Sequence, residues 1–555
     1  MNTAPAAPGP LGTHEVTNQP PPLADFNAFE DDLPLVEALE REGGGWATER
    51  ARAFGARAGS AEVIEWARLA NENPPKLRAY DRFGHRIDEV EFHPAYHHLM
   101  SLAVEHGVHS LAWTGPEGHS HAGRAALQVL QAQAEAGTGC PITMAHSGIP
   151  ALRHQPEVAA EWEPRLLTTR YDPRMIPASQ KTGAIMGMAM TEKQGGSDVR
   201  ANTTRATPIG AGGPGGEYEL LGHKWFCSAP MSDLFLTLAW SEGGLSCFLV
   251  PRWTPDERRN PFYIQRLKDK LGNRSNASSE IEYRGTWARM VGAEGRGVPT
   301  IIEMVNHTRL DVALGASGLM RQALRHALHH TAHRSAFGRL LSEQPLMQNV
   351  LADLAVETEA AVAMSMRVAR AFDEGQTDPV QRDFARIATA VAKYWVSKRV
   401  VGVVAEALEC HGGAGYVEEC AMARIYREAP LGSIWEGSGN VQCLDVLRAM
   451  HKSPGAVDAF FGELALARGG DARLDAHVQT LGERLRDPGD FERNARRLVE
   501  GMALALEGAL LVRHAPAAVA DAFCASRLSD DWGREYGSLP RGVDLAALVR
   551  RASAT

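Results

Sequence analysis

The chain has 555 residues, of which 44% are hydrophobic and 23% charged, and its formal net charge at pH 7 is −9. This length and composition predict a globular protein of about three to four domains. The negative charge excludes a protein that binds nucleic acid through bulk basicity, so any DNA contact would need a local basic face.

Neither the cysteine pattern nor the first residues indicate a secreted protein, and the cysteine pattern does not indicate a metal site. The seven cysteines are scattered and form no CxxC pair, which predicts reduced thiols and no zinc site. The first residues lack the basic region and the apolar region that a signal peptide has. No apolar stretch reaches the roughly 18 residues of a membrane span. We therefore expect a cytoplasmic protein without a membrane partner.

The apolar spacing changes twice along the chain. It is helical up to about residue 185, becomes short and β-prone with Gly, Pro and Asn at the boundaries, and returns to long helical patterns after about residue 295. The Gly-rich run 210–216 opens no helix, so it predicts a hairpin loop and not a phosphate cradle. The predicted domains are a flexible arm (1–26), an N-terminal α-helical domain (27–185), a central β-domain (186–295), an α-helical bundle (296–450) and a C-terminal α-helical domain (451–555).

Five short motifs then follow one another in the chain. They read MTEKQGGSDV at 190–199, GHKWFCS at 222–228, HRSAFG at 333–338, HGGAGY at 411–416 and IWEGSGN at 434–440. Their order and spacing resemble the TEPxAGSD, GxKxWIT, R-x-x-F-G, G-G-x-G-Y/F and IYEGT motifs of the acyl-CoA dehydrogenase family. The resemblance implies the α+β fold of that family, with a central β-barrel between helical domains, an extra C-terminal helical domain and FAD as cofactor.

A flavin needs backbone donors at its polar edge and an apolar or aromatic wall at its ring. The Thr191–Ser197 turn, with the aromatic Phe226 and the hydroxyl of Ser228, fits both needs. The resemblance implies that the cofactor-binding residues are Met188, Met190, Thr191, Gly196, Ser197, Phe226, Cys227, Ser228, Arg334, Phe337, Gly412, Gly413, Trp435, Ser438 and Asn440. In the family, Arg334 and Phe337 would reach FAD held by a partner subunit, which implies a homo-oligomer, expected to be a tetramer.

The resemblance places the catalytic base at Glu436. A buried carboxylate can have its pKa raised toward working pH, which suits removal of an α-proton. Arg309 matches a buried family arginine that could hold this carboxylate. From the residues alone, a surface salt bridge is the alternative for both. Trp435 stands where many members have Tyr, so a narrower acyl pocket is expected.

Segments 190–199, 266–278 and 433–440 further resemble a branch of the family that belongs to the bacterial response to DNA alkylation and binds double-stranded DNA without reading its sequence. Arginine suits phosphate contacts, and three arginines at i, i+3 and i+4 share one helix face. The expected DNA contacts are Arg448, Arg484, Arg486, Arg493, Arg496, Arg497, Arg513 and Arg527. The alternative is a solvated face paired with nearby acids.

The resemblance thus implies an FAD flavoprotein that protects DNA from alkylation, with at most weak dehydrogenase activity on a small, isovaleryl-like acyl-CoA. One alternative is an ordinary metabolic acyl-CoA dehydrogenase or oxidase without a nucleic-acid role. Another is a non-catalytic scaffold in which FAD only stabilises the fold. The sequence has no alkyl-transfer cysteine motif and no H-x-x-x-D iron site, so direct repair chemistry has no support.

Overall fold

The computed structural model describes residues 12–116, 120–453, 455–486, 489, 491–531 and 533–553. The expected flexible arm falls partly outside this set, because residues 1–11 are not among them. Residues 12–26 form no helix or strand, but they contact the folded part of the protein. The side-chain amide of Asn18 donates to the backbone carbonyl of Ser335 (2.9 Å). The backbone carbonyl of Asn18 accepts from the Arg334 guanidinium (2.6 Å).

The N-terminal region is mostly helical but contains a β-hairpin that the spacing did not predict. Its elements are α1 (Leu33–Arg41), α2 (Thr48–Ala58), α3 (Ala61–Glu72), β1 (Lys76–Tyr80), β2 (Arg86–Glu91), α4 (Pro94–Glu105), α5 (Leu111–Thr114), α6 (Ser120–Ala134), α7 (Gly139–Leu152) and α8 (Pro156–Leu166). The all-helical expectation was wrong at β1 and β2, since these strands are rich in charged residues and give a weak apolar signal. Leu77 and Val90 pair across the hairpin and pack against the barrel core.

The central region is a β-sheet closed on itself. Its strands are β3 (Met186–Ala189), β4 (Arg205–Ile209), β5 (Glu217–Ser228), β6 (Leu234–Ser241), β7 (Gly244–Pro251), β8 (Phe262–Leu267) and β9 (Ser278–Val291). Strands β6, β4, β5, β9 and β7 pair in that order, and β7 returns to β6, which closes the barrel. Ile209 pairs with Glu217, which confirms the Gly-rich run between them as a hairpin loop.

The remaining elements are helical apart from one two-stranded ribbon. They are α9 (Gly297–His333), β10 (Ser335–Ala336), β11 (Arg339–Leu340), α10 (Pro345–Glu374), α11 (Pro379–Glu409), α12 (Ala421–Glu428), α13 (Gly439–Lys452), α14 (Gly455–Ala465), α15 (Ala472–Arg486), α16 (Phe491–His514), α17 (Ala517–Arg527) and α18 (Leu545–Ala552). Short 3-10 turns lie at Gly412–Tyr416 and Ala429–Ser433. Among the described residues, no helix is both long and apolar enough to cross a membrane.

The C-terminal helices share one hydrophobic core with the bundle. Buried side chains of α16 belong to the same apolar cluster as those of α6, α9, α10 and α11. Buried polar contacts also cross this boundary: Trp395 of α11 donates to Glu507 of α16 at 3.0 Å. Removal of α14–α18 would therefore expose core residues of the bundle.

Candidate active site

Glu436 lies in a strained turn between the Ala429–Ser433 3-10 turn and α13. Its φ is +56°, in the left-handed region that favours glycine, and Gly437 follows at +96°. Buried side chains hold the carbonyls of this turn. Lys393 donates from Nζ to the carbonyls of Trp435 (2.8 Å) and Gly437. Gln442 donates from Nε2 to the carbonyls of Glu436 (2.9 Å) and Gly437 (3.1 Å).

The carboxylate of Glu436 points to a hydroxyl. Thr308 donates from Oγ1 to Oε2 of Glu436 at 2.6 Å. Burial raises the pKa of Glu436, while the Thr308 hydrogen bond and the charges of Lys393 and Arg309 act in the opposite direction. Burial also lowers the pKa of Lys393 to about 7. Sequence reasoning missed Thr308 and Lys393, because they approach the turn from distant helices, and it missed Gln442 on α13, because that residue lies just beyond the motif.

Arg309 is beside the base, but it does not hold the carboxylate as expected. Its Nε donates to the backbone carbonyl of Glu436 at 3.2 Å, and its Nη1 binds Asp445 at 2.7 Å. The expectation was wrong because Asp445 takes the guanidinium. Asp445 also binds Arg386 at 2.9 Å. Arg309 therefore holds the turn through the backbone carbonyl of Glu436, and not through the Glu436 carboxylate.

A cavity begins at Glu436. It encloses about 710 Å³ of space without protein atoms, part of it open to solvent, between α6, α7, α9 and the chain that carries the base. Trp435 and Thr308 line it beside Glu436, and Cys140 lines the α7 wall. Burial raises the pKa of the Cys140 thiol to about 11, and both Glu436 and Ser228 of β5 also influence it. The cavity thus lies next to the end of strand β5.

The two expected flavin motifs of the barrel are joined to each other. Trp225 donates its N–H to the carbonyl of Thr191 at 2.8 Å, so the Thr191–Ser197 turn lies against β5. Phe226 leaves 46% of its surface exposed, and Ser228 shares its face of the strand. Cys227 points the opposite way, into the barrel core. Cys227 could therefore contact the cofactor only through its backbone.

These residues have the chemistry that a flavin requires. At Gly196 an added Cβ would lie 2.6 Å from Thr191 Oγ1, so the tight turn requires glycine, and at Gly195 an added Cβ would meet open space. Trp435 Nε1 is buried without a hydrogen-bond partner among the described residues. Met188 is buried and Met190 is half-buried at the same sheet edge. The exposed ring of Phe226, the unused donor of Trp435 and the open space at Gly195 therefore fit the polar, aromatic cofactor.

The residues expected to reach a partner's cofactor form a second group. Phe337 and Gly338 are the tip of the β10–β11 ribbon, both with positive φ, and Phe337 is fully exposed (101%). The ring of His330 lies 4.5 Å from that of His411, which brings the end of α9 beside Gly412 and Gly413. An added Cβ at either glycine meets nothing within 4 Å.

Two expected site residues contact other parts of the chain. Arg334 donates to the carbonyl of Asn18 at 2.6 Å, and Asn440 accepts at Oδ1 from Arg496 at 2.8 Å. Ser438 is half-buried, and its carbonyl accepts from the N–H of Gln442 at 3.0 Å, at the start of α13.

The expected DNA-contacting arginines differ in their exposure and in their partners. The exposed ones are Arg448 on α13 and, at the end of α15 and the start of α16, Arg484, Arg486, Arg493, Arg496 and Arg497. Arg448 binds Asp445 at 3.1 Å, and Arg513 binds Glu463 at 2.7 Å. Arg527 is only 4% exposed and binds Asp353 and Glu357. It was wrongly expected to contact DNA, because its charge is used inside the protein.

Three family models match the chain. They describe the N-terminal domain of the adaptive response protein AidB (residues 18–173), the acyl-CoA dehydrogenase middle domain (187–286) and the acyl-CoA dehydrogenase C-terminal domain (295–451). The fold and the site therefore define an acyl-CoA dehydrogenase-type oxidoreductase that depends on FAD.

Individual relatives narrow this class. The chain is 44% identical over 514 residues to AidB of Escherichia coli (strain K12), covering 92% of this chain and 94% of that protein. The chain belongs to the AidB group of the acyl-CoA dehydrogenase family. The structure of Caenorhabditis elegans ACDH-11 in complex with C11-CoA is similar with a TM-score of 0.83 and 27% identity, covering 97% of this chain and 93% of that one. The apo form of Bd2924 is similar with a TM-score of 0.82 and 29% identity, covering 91% and 100%.

Proposed function

We propose that this protein oxidises an acyl thioester across its α and β carbons, with Glu436 as the base. The observation that carries the proposal is the Glu436 carboxylate, fixed by Thr308 at the start of a cavity whose wall residue Cys140 lies near Ser228 at the end of β5. Burial raises the pKa of Glu436, so the carboxylate is a stronger base than an exposed one. Removal of the α-proton leaves this proton on Glu436.

Other residues of the chain would hold the cofactor or keep the base in position. Thr191, Gly196, Ser197, Phe226 and Ser228 would hold the flavin ring, together with Met188, Met190 and Trp435. When bound, FAD supplies the acceptor for the hydride that leaves the β-carbon. Lys393, Gln442 and Arg309 keep the base turn in its strained conformation. Preorganisation of this kind matters, because a misplacement of about 1 Å can cost about 100-fold in rate.

We also propose that a second copy of the chain completes the cofactor site, in a homotetramer. Phe337 supports this proposal, because its ring is fully exposed at the tip of a ribbon and offers apolar surface that a second copy would remove from water. Arg334, Gly412 and Gly413 lie beside it and would bind phosphate through a guanidinium and backbone N–H groups.

The test of the redox proposal is flavin bleaching. The purified holoprotein is mixed without oxygen with a series of acyl-CoAs, and the flavin absorbance is followed. Glu436→Gln should lower the bleaching rate by about 100- to 10,000-fold, while FAD content and melting temperature stay unchanged. Equal rates in the two proteins would contradict the role of Glu436. The matched control is Glu105→Gln, an exposed carboxylate at the end of α4, which should bleach at the wild-type rate.

A second function is favoured by the exposed arginines of α15 and α16. We propose that this face binds double-stranded DNA through phosphates and without sequence preference, and so shields DNA from alkylating agents. Arginine is suited to such contacts. Five acidic residues share the stretch 481–500 with these arginines, so a solvated face that binds nothing is the competing interpretation.

Point variants test the DNA proposal better than truncation, because α14–α18 share the core of the bundle. The triple variant Arg484→Gln, Arg486→Gln, Arg497→Gln should reduce the slope of log affinity against log salt by up to about 3, at about 0.9 per phosphate contact. It should also let alkylation lesions accumulate on protein-bound DNA. The matched control removes three exposed arginines elsewhere, Arg50→Gln, Arg57→Gln and Arg82→Gln. An equal loss of DNA affinity in the two triple variants would show that binding depends on overall charge and not on this face. No loss of DNA affinity in either variant would contradict the proposal.

A further inference from the structure

The cavity that begins at Glu436 extends along one face of α9. Its α9 wall consists of residues at helical i, i+3 and i+4 spacing, from Thr308 through Val312 and Gly315 to Leu319. Leu319 stands eleven residues after Thr308, which is about 16 Å along a helix axis at about 1.5 Å per residue. The cavity is therefore long and leads away from the base.

Small residues create this space. A Cβ added at Gly315 would lie 4.0 Å from the Cβ of Ala132, and one added at Gly139 would meet nothing within 4 Å. Ala132 and Ala136 line the opposite wall on and beyond α6, and Ala316 lines the α9 wall. A larger side chain at Gly315 would therefore occupy the middle of the cavity without first displacing the backbone.

Three polar residues of the wall, Gln128, Gln131 and Asp311, have hydrogen bonds to other parts of the protein. Gln131 donates to Thr138 Oγ1 at 2.8 Å, and Asp311 forms a buried ion pair with Arg124. Arg124 also donates to Gln128 Oε1 at 3.2 Å. A polar ligand would have to compete for these groups, whereas an aliphatic chain leaves them satisfied.

Leu319 lines the cavity at the end of the α9 wall that lies farthest from Thr308. Leu319, Ala132, Ala136 and Glu428 also line a second cavity, with about 220 Å³ of space, on the side of Arg424. These residues therefore separate the two spaces. Truncation of Leu319 would join them and lengthen the first.

We propose that this cavity is the site for the tail of a straight aliphatic acyl group of about ten carbons, with Gly315 admitting the chain and Leu319 setting its length. An extended alkyl chain advances about 1.3 Å per carbon, from bonds of about 1.5 Å and angles near 111°. The terminal methyl needs about 4 Å of contact distance, which leaves about 12 Å of the 16 Å for the chain. This inference rests on the proposed function of Glu436, and it differs from the small acyl group expected from the sequence.

The test measures binding and not turnover. The holoprotein is titrated calorimetrically with acyl-CoA analogues of about four to fourteen carbons, in which sulfur replaces the β-carbon so that no hydride can leave. Wild type should bind best near ten carbons. Gly315→Leu should lose at least about tenfold in affinity at ten carbons and little at four. Leu319→Ala should move the optimum toward longer chains. The control Gly462→Leu replaces an exposed helical glycine of α14 with open space around it and should keep the wild-type profile.

The opposite shifts of the two cavity variants cannot come from unfolding. Best binding of the four-carbon analogue by wild type, or an equal loss at every length in Gly315→Leu, would overturn the proposal. If Gly315→Leu does not fold, two other variants test the proposal. Gly315→Ala should bind best at a shorter chain length than wild type, and Leu319→Ala at a longer one. Failure of Glu436 in the bleaching assay would leave these profiles measurable, so the two proposals can fail separately.

Discussion

Replacement of Thr308 by valine removes the hydroxyl that binds the base and keeps the shape of the side chain. Thr308 Oγ1 donates to Glu436 Oε2 at 2.6 Å, and this bond favours the ionised carboxylate. A hydrogen bond to a charged group contributes about 1.5–3 kcal/mol. At about 1.4 kcal/mol per pKa unit, its loss should raise the pKa of Glu436 by about one to two units.

The assay is the pH dependence of kcat/KM for flavin reduction by an acyl-CoA. The base must be ionised, so a higher pKa moves the acidic limb of the profile to higher pH, while the rate well above the limb changes little. Thr331→Val is the control, because Thr331 is buried on the same helix and its hydroxyl donates to the carbonyls of Ala327 and Leu328 within α9. An acidic limb that stays at the wild-type pH in Thr308→Val would refute the hydrogen bond as a determinant of the base.

Three further predictions follow from buried charges. Burial raises the pKa of Glu428 to about 7, so wild type loses stability as the pH rises from about 4.5 to 7. Glu428→Gln should then be more stable than wild type by up to about 3 kcal/mol above pH 7 in urea unfolding, with no difference near pH 4.5. Arg527→Met should cost about 3–5 kcal/mol in the same assay, because two buried carboxylates lose a partner, and DNA affinity should not change. Lys393→Met leaves the Trp435 carbonyl without its donor and should lower kcat/KM by about 10- to 100-fold, whereas the exposed Lys398→Met on α11 should not.

The order of helical and β regions could be predicted from the sequence, because apolar periods and Gly-rich boundaries are local signals. The hairpin loop at 210–216 is one example. The β1–β2 hairpin could not be predicted in this way, since strands such as RIDEVE carry more charged than apolar residues and are held by pairing with each other and by packing against the barrel.

The site shows the same division between local and distant information. The motif letters mark Glu436 and the Thr191–Ser197 turn, whose geometry depends on neighbours in the chain. The contacts of Thr308 and Lys393 with the base turn span 128 and 42–44 residues, and the pairing of Arg527 with Asp353 spans 174. Such contacts depend on helix packing, so an arginine that looks available in sequence can be buried in the fold.

The most direct test of the account is exchange of the substrate's α-proton with solvent. The holoprotein is incubated with an acyl-CoA in deuterated water, and uptake of deuterium at the α-carbon is followed by mass spectrometry. If Glu436 removes this proton, wild type catalyses the exchange and Glu436→Gln does not. Exchange that persists in Glu436→Gln, or none with wild type across a full range of chain lengths, would contradict the central claim.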